Sequence, residues 1–155
     1  ALLSFEQEDG IRLSHYNLLV NTNGIQKAIG LKSRTKIFCD LKPRSATWVI
    51  FQAILPIYCG CIFDHSNPEV TFGNSKNSFN LRADIKNIAE FAKDDIGLCP
   101  ENTAAISIGN NPIHLTSYSL EKTKMMIKGH SVMMGYLNEL KNESSYYKEG
   151  LHISI

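Results

Sequence analysis

The first clear pattern of apolar and polar positions begins at Ser14, after which Leu18, Leu19, Thr22, Ile25, Gln26 and Ile29 fall on one face of a helix. Ser14 is placed as its N-cap and Gly30 as the left-handed residue that ends it. From Thr35 to Leu41 the period shortens to that of a strand, and Pro43 closes it. Ala46 to Leu55 is predicted as a second, strongly apolar helix, with Pro56 just beyond its end. After Gly60, Cys61-Ile62-Phe63 reads as a short buried strand. Strand, helix and strand of these lengths predict a parallel βαβ unit, whose sheet is covered by helices.

From His65 to Asn80 the chain turns to Ser, Asn, Gly and Lys without periodicity, which predicts a long loop. A helix is expected over Leu81 to Lys93, where Leu81, Ile85, Ile88 and Ala92 stand at helical spacing. The segment Gly97 to Thr103 then leads into a strand-like Ala105-Ile106-Ser107-Ile108, a turn at Gly109-Asn110-Asn111-Pro112, and a second strand around Met125 to Lys128. The expected organisation is a single α/β domain over 1–155. Its parts are a βαβ segment at 1–64, a loop marking an internal deletion at 65–80, and helix, strands and a Gly-Tyr-Leu-Asn segment at 81–155.

Composition narrows the function classes. Sixteen Lys and Arg against fifteen Asp and Glu leave a formal charge of +1 on 155 residues, so no long-range field favours nucleic acid. The longest apolar run, Trp48 to Cys61, is broken by Gln52, Pro56 and Gly60 and is too short to span a bilayer. Cys39, Cys59, Cys61 and Cys99 lack C-x-x-C spacing, and the histidines do not flank them as zinc ligands would. Buried free thiols in a reducing cytoplasm are the expected state. The chain begins at Ala1, which is read as a segment of something longer.

Five motifs in order carry a resemblance. They are Gly10-Ile11-Arg12-Leu13-Ser14-His15-Tyr16-Asn17-Leu18, then Ile37 to Phe63 ending in Leu55-Pro56-Ile57-Tyr58-Cys59-Gly60-Cys61-Ile62-Phe63, then Ile96 to Ile108. Gly109-Asn110-Asn111-Pro112-Ile113 follows, and last comes Lys124 to His152 with its Gly135-Tyr136-Leu137-Asn138 and Glu149-Gly150-Leu151-His152. Together they resemble the adenylate-forming, acyl-CoA synthetase family, and their wording is nearest to long-chain fatty acyl-CoA synthetases of the bubblegum type. The resemblance implies a partial fragment of that family's N-terminal α/β domain and a parent reaction that activates a fatty acid with Mg-ATP and passes it to coenzyme A. It also implies that Gly135-Tyr136-Leu137-Asn138 packs as a short helix. Gly97, Leu98, Glu101 and Asn102 would be the remains of a nucleotide-binding motif, with Glu101 as the magnesium ligand. Cytoplasmic residence, peripheral to the endoplasmic reticulum or other intracellular membranes, is implied as well.

Departures fall where the family's chemistry lies. The family's glycine-rich phosphate loop presents backbone N–H groups and a lysine to phosphates. At its place stands Ser4-Phe5-Glu6-Gln7-Glu8-Asp9, with no glycine, no lysine and three carboxylates. Like charges a few ångströms apart cost about 1 to 4 kcal/mol per pair, so ATP is expected to be repelled. Pro100 is inserted before Glu101, the family's T-G-D has become Ile153-Ser154-Ile155, and a long stretch of the family's body is missing between Phe63 and Leu81. The family's C-terminal lid is not in this sequence. The expectation is a degenerate ligase-like protein that binds neither ATP nor magnesium. The alternative is a non-catalytic module that takes a protein partner at exposed sheet edges.

Met125, Met126, Met133 and Met134 are expected to fill core. His15 is expected to serve the helix start, Tyr146 and Tyr147 a partly exposed hairpin, and Lys122, Lys124 and Lys128 a solvated strand edge.

Overall fold

The computed structural model describes residues 2–5, 9–43, 45–73, 78–147 and 150–155. Strand β1 (Leu2–Ser4) pairs antiparallel with β2 (Ile11–Leu13), which leads through Ser14 into α1 (His15–Ile29). Ser14 is extended, its hydroxyl accepts the Asn17 N–H at 3.0 Å, and Asn17 Oδ1 accepts the Ser14 N–H at 2.9 Å. This capping box satisfies two donors that a helix start leaves orphaned. At the other end Gly30 is left-handed, at φ 71° and ψ 40°, and its N–H closes on Gln26 O at 2.8 Å. The buried face of α1 is Asn17, Leu18, Asn21, Thr22, Gly24 and Ile25, so it is more polar than the expected stripe, and Leu19 is exposed. Buried carbonyls on the neighbouring turns explain this. Asn17 Nδ2 donates to His130 O and Val132 O, and Asn21 Nδ2 to Asn102 O and Ala105 O.

After β3 (Lys36–Cys39) a continuous helical rod runs through α2 (Ala46–Trp48), a π-helical stretch Val49–Ile54, and α3 (Leu55–Cys59). Ser45 caps its start through the Trp48 N–H at 2.8 Å. The helix was expected to stop before Pro56; it continues past it. The wide π turn, in which the Leu55 N–H reaches Ile50 O, makes room for the proline ring where an ordinary α turn would clash. Gly60, left-handed, ends the rod.

Strand β4 (Ile62–Phe63) follows and pairs parallel with β3, completing the βαβ unit. It lies at the sheet edge with both side chains exposed, not buried as the apolar run predicted. A buried strand needs neighbours on both sides, and β4 has only β3.

The 65–80 region is not loop throughout: β5 (Val70–Gly73) lies within it, and β6 (Phe79–Arg82) begins at its end. The expected helix over Leu81 to Lys93 is instead the end of β6 and a 3-10 segment Ile85–Glu90 that is kinked at Asn87. The helical spacing misleads here because Leu81 is buried on a strand while Ile85 and Ile88 are buried from the 3-10 turn. Strands β7 (Asp95–Leu98), β8 (Ala105–Ile108) and β9 (Asn111–Pro112) complete a seven-stranded sheet of order β4-β3-β5-β6-β7-β8-β9. The first five strands are parallel and the last two pairings antiparallel. β5 and β6 are parallel neighbours joined only through 74–78, whereas a parallel crossover ordinarily takes about a dozen residues or more and a helix. Ile37, Phe72 and Ile96 of the sheet pack with Ile50, Phe51 and Leu55 of the rod and Ile25 of α1 in one core.

The rest of the chain is antiparallel. β10 (Thr116–Leu120), β11 (Lys124–Gly129), β13 (Tyr146–Tyr147) and β14 (Gly150–Ser154) form a sheet of order β10-β11-β14-β13. β11 is therefore an inner strand and not an edge; its exposed Lys124 and Lys128 lie on the outer face while Met125 and Ile127 are buried. Met133 is buried too, but Met134 is exposed. Tyr146 and Tyr147 form the expected hairpin with β14. Within the Gly-Tyr-Leu-Asn segment, Gly135–Tyr136 is β12, pairing with β2, and only Asn138 belongs to a helix, as N-cap of α4 (Glu139–Ser145).

Candidate nucleotide-site remnant

The carboxyl ends of parallel strands are where open α/β sheets commonly bind ligands, and Glu101 stands just past the end of β7. It belongs to a 3-10 turn, Pro100–Asn102, in which Pro100 occupies the first position. A proline there loses an N–H that a helix start leaves unpaired anyway, so the insertion shapes the turn without disrupting it. Glu101 is 5% exposed. Its carboxylate is held by two neutral donors: Tyr136 Oη reaches Oε1 at 3.1 Å and Cys99 Sγ reaches Oε2 at 3.5 Å. Its carbonyl accepts the Met133 N–H at 2.8 Å, which ties the turn to the segment before β12.

The surroundings take up this charge by keeping their own protons. Burial, and then the Glu101 charge, pushes the Tyr136 hydroxyl and the Cys99 thiol well above their ordinary values. Tyr146, donating to Met133 O at 2.8 Å, is raised to about 12, chiefly by burial. All three remain neutral donors at any physiological pH.

The other expected site residues have packing roles. Gly97 and Leu98 lie on β7, and a Cβ at Gly97 would meet Ser107 Oγ at 2.6 Å, so glycine lets β8 approach closely. Asn102 is fully buried: its carbonyl accepts from Asn21 and its Nδ2 donates to Ala105 O at 2.8 Å. Thr103, with φ 73°, donates to Ser131 O at 2.6 Å. The four expected residues thus lie together at one strand end.

Two cavities adjoin Glu101. One, of about 510 Å³, includes Asp9, Lys124, Tyr136, Lys141 and His152; the other, of about 520 Å³, includes Thr47, Ile85 and Leu98. Ile153 and Ser154, at the T-G-D position, line both. Of the three carboxylates at the phosphate-loop position, Glu6 and Glu8 lie outside the described residues. Asp9, one of the carboxylates expected to repel ATP, is paired. Lys141 Nζ reaches it at 2.6 Å and Asn138 Nδ2 at 3.2 Å, and these bonds, Lys141 first, hold it below the ordinary carboxylate value. Among the described residues no group of three or more His, Cys, Asp or Glu could hold a metal ion, and no helix is long and apolar enough to cross a membrane.

Tyr136 and Lys141 went unrecognised in the sequence as partners of the site. The one available signal was Asn138 as a cap, since it places Lys141 in the first turn of α4 over the Tyr136 ring, 4.2 Å from its centroid.

No protein-family model matches the sequence, and no curated protein does. Solved structures do. The o-succinylbenzoate CoA synthetase of Bacillus subtilis, bound to a product analogue, superposes with a TM-score of 0.70 at 14% identity over 94% of this chain and 43% of its own. The fold is that of an adenylate-forming synthetase. McyG A-PCP complexed with phenylalanyl-adenylate gives 0.69 at 16% identity, over 92% of this chain and 36% of its own. Apo MatB from Rhodopseudomonas palustris gives 0.69 at 12%, over 97% and 43%. The chain thus spans less than half the length of these neighbours and corresponds to part of the adenylate-forming fold. The Bacillus synthetase has also been solved with ATP and magnesium ion, at a TM-score of 0.65.

Proposed function

We propose that this chain is a degenerate relative of a long-chain fatty acid–CoA ligase that keeps the wall of the adenylate site and has lost, or nearly lost, the reaction. The parent chemistry is attack of a fatty acid carboxylate on the α-phosphate of ATP, giving an acyl-adenylate that coenzyme A then intercepts. Such chemistry depends on positioning and on fixed charges that stabilise phosphates. One observation carries the reading: the carboxylate at the magnesium position, Glu101, is buried and held by Tyr136 and Cys99.

The donors present do not fit Mg-ATP. Magnesium keeps near-ideal octahedral oxygen coordination and several waters, which a carboxylate closed in by two side-chain donors does not offer. Lys141, a cation that lines the cavity beside Glu101, is engaged by Asp9. Ile153-Ser154-Ile155 supplies no carboxylate for a ribose. Gly97, Leu98, Glu101 and Asn102 are on this reading a vestigial motif retained for packing. The short β5–β6 connection supports an internal loss at 65–80.

The test is an acyl-adenylate assay on the whole chain with Mg-ATP and a long-chain fatty acid, read as pyrophosphate release. Release no faster than a no-protein control is expected; acid-dependent release that saturates would overturn the proposal.

A second reading, a protein-binding module without catalysis, is favoured by the open edge of β4, where Ile62 and Phe63 are 47% and 43% exposed beside Ile57 at 82%. An unpaired apolar edge can accept a partner's strand. Cross-linking that protects β4 from hydrogen exchange would favour it over the first.

A further inference from the structure

Cys59 and Cys61 flank Gly60, the left-handed residue between the end of α3 and β4. Both side chains turn toward the same stretch of chain. Cys59 Sγ donates to Gln26 Oε1 at 3.0 Å, and that oxygen also accepts the Leu31 N–H at 3.1 Å; Cys61 Sγ donates to the next carbonyl, Lys32 O, at 3.7 Å. Gly60 itself is pinned, its carbonyl accepting the Arg34 N–H at 2.7 Å, so the pair is held in a fixed bend. Residues two apart span at most about 7 Å between Cα atoms, and a bend shortens that into the range a disulfide bridges. Both cysteines are only partly buried, in contrast to Cys39 and Cys99.

We propose that Cys59-Gly60-Cys61 is a redox-active dithiol that closes to an intrachain disulfide by exchange with a low-molecular-weight disulfide, RS–SR. Cys61, whose hydrogen bond is the longer, attacks first: its thiolate sulfur bonds to one sulfur of RS–SR and expels RS⁻, leaving a mixed disulfide. Cys59, giving its proton to solvent, then attacks the Cys61 sulfur and expels the second RS⁻. Two protein thiols are oxidised and RS–SR is reduced to two small thiols. Burial raises both thiols, Cys59 to about 11, so little thiolate is present at neutral pH and the exchange is slow. Closure removes the two thiol contacts to Gln26 and Lys32 O.

The experiment equilibrates the whole chain in mixtures of reduced and oxidised glutathione, quenches with an alkylating agent and maps peptides by mass. The peptide holding Cys59 and Cys61 is expected to lose two hydrogens and resist alkylation, while Cys39 and Cys99 are alkylated after unfolding. The native chain should form this disulfide at a ratio of oxidised to reduced glutathione roughly tenfold lower than the urea-unfolded chain does. Cys59→Ser should stop at a glutathione mixed disulfide on Cys61. An equal ratio in native and unfolded chain, a stable mixed disulfide in the wild type, or bridging to Cys39 or Cys99 would each overturn the proposal. The wild-type comparison stands even where the variant fails to fold.

Discussion

Tyr136 donates its hydroxyl to Glu101 Oε1 at 3.1 Å, and this bond joins β12 to the turn that ends β7 inside the protein. Tyr136→Phe keeps the ring and leaves a buried carboxylate oxygen unpaired, a change that costs about 1–3 kcal/mol. Urea denaturation should show the midpoint falling with little change in slope. Glu101→Gln, whose carboxamide oxygen still accepts from Tyr136, should cost less. A Tyr136→Phe protein as stable as wild type would mean that the bond contributes nothing.

The buried hydroxyls set an alkaline limit. Tyr146 ionises at about 12 in the folded chain against an ordinary 10.0, and Tyr136 is shifted the same way. A group raised on folding contributes stability that is fully present below the unfolded value and is lost as pH rises through the folded one. Unfolding midpoints should therefore decline between pH 10 and 12. Cys39, raised from 9.0 to about 12 by burial, acts in the same direction. Tyr146→Phe should make the decline shallower, and an unchanged slope would contradict the assignment.

At the acid end Asp9 is held below its ordinary 3.8, first by Lys141 and then by Asn138. A depressed carboxylate contributes stability above its unfolded value and loses it as pH falls through the folded one. Midpoints should fall as the pH drops below about 4, and Lys141→Ala should weaken that dependence. The pair is partly exposed to solvent, so added salt should reduce the difference between variant and wild type.

Asn21 is fully buried and makes three hydrogen bonds, donating to Asn102 O and Ala105 O and accepting the Ala105 N–H at 3.1 Å. Asn21→Ala orphans the buried Ala105 N–H and takes one donor each from Asn102 O and Ala105 O, which keep Ala104 N–H and Asn102 Nδ2, and should destabilise by about 1–3 kcal/mol. Thermal unfolding would register this as a drop of several degrees; a shift within error would show that water replaces the side chain.

The sequence announced some elements through local chemistry that needs no partner. Ser14 and Gly30 fix the ends of α1 by their own hydroxyl and their own φ, so both ends are where they were expected. It failed where tertiary structure overrides spacing. Leu81, Ile85 and Ile88 stand at helical intervals, yet β5 and β7 pull Leu81 into the sheet between them. Pro56 is an ordinary helix stop that a π turn renders harmless. At the candidate site, Glu101 and Asn102 were singled out by their motif, but their partners lie far off in sequence. Nothing near residue 101 signals that Tyr136 will meet it, and nothing in α1 marks Asn21 as the side chain that anchors the turn.

The central claim is that Glu101 is an internal structural carboxylate and that the chain does not hold magnesium–ATP. Calorimetric titration of the whole chain with ATP, with and without magnesium, tests it most directly. The account predicts heats equal to dilution in both. A saturable, magnesium-dependent heat that disappears in Glu101→Gln, in a variant shown to be folded, would contradict it.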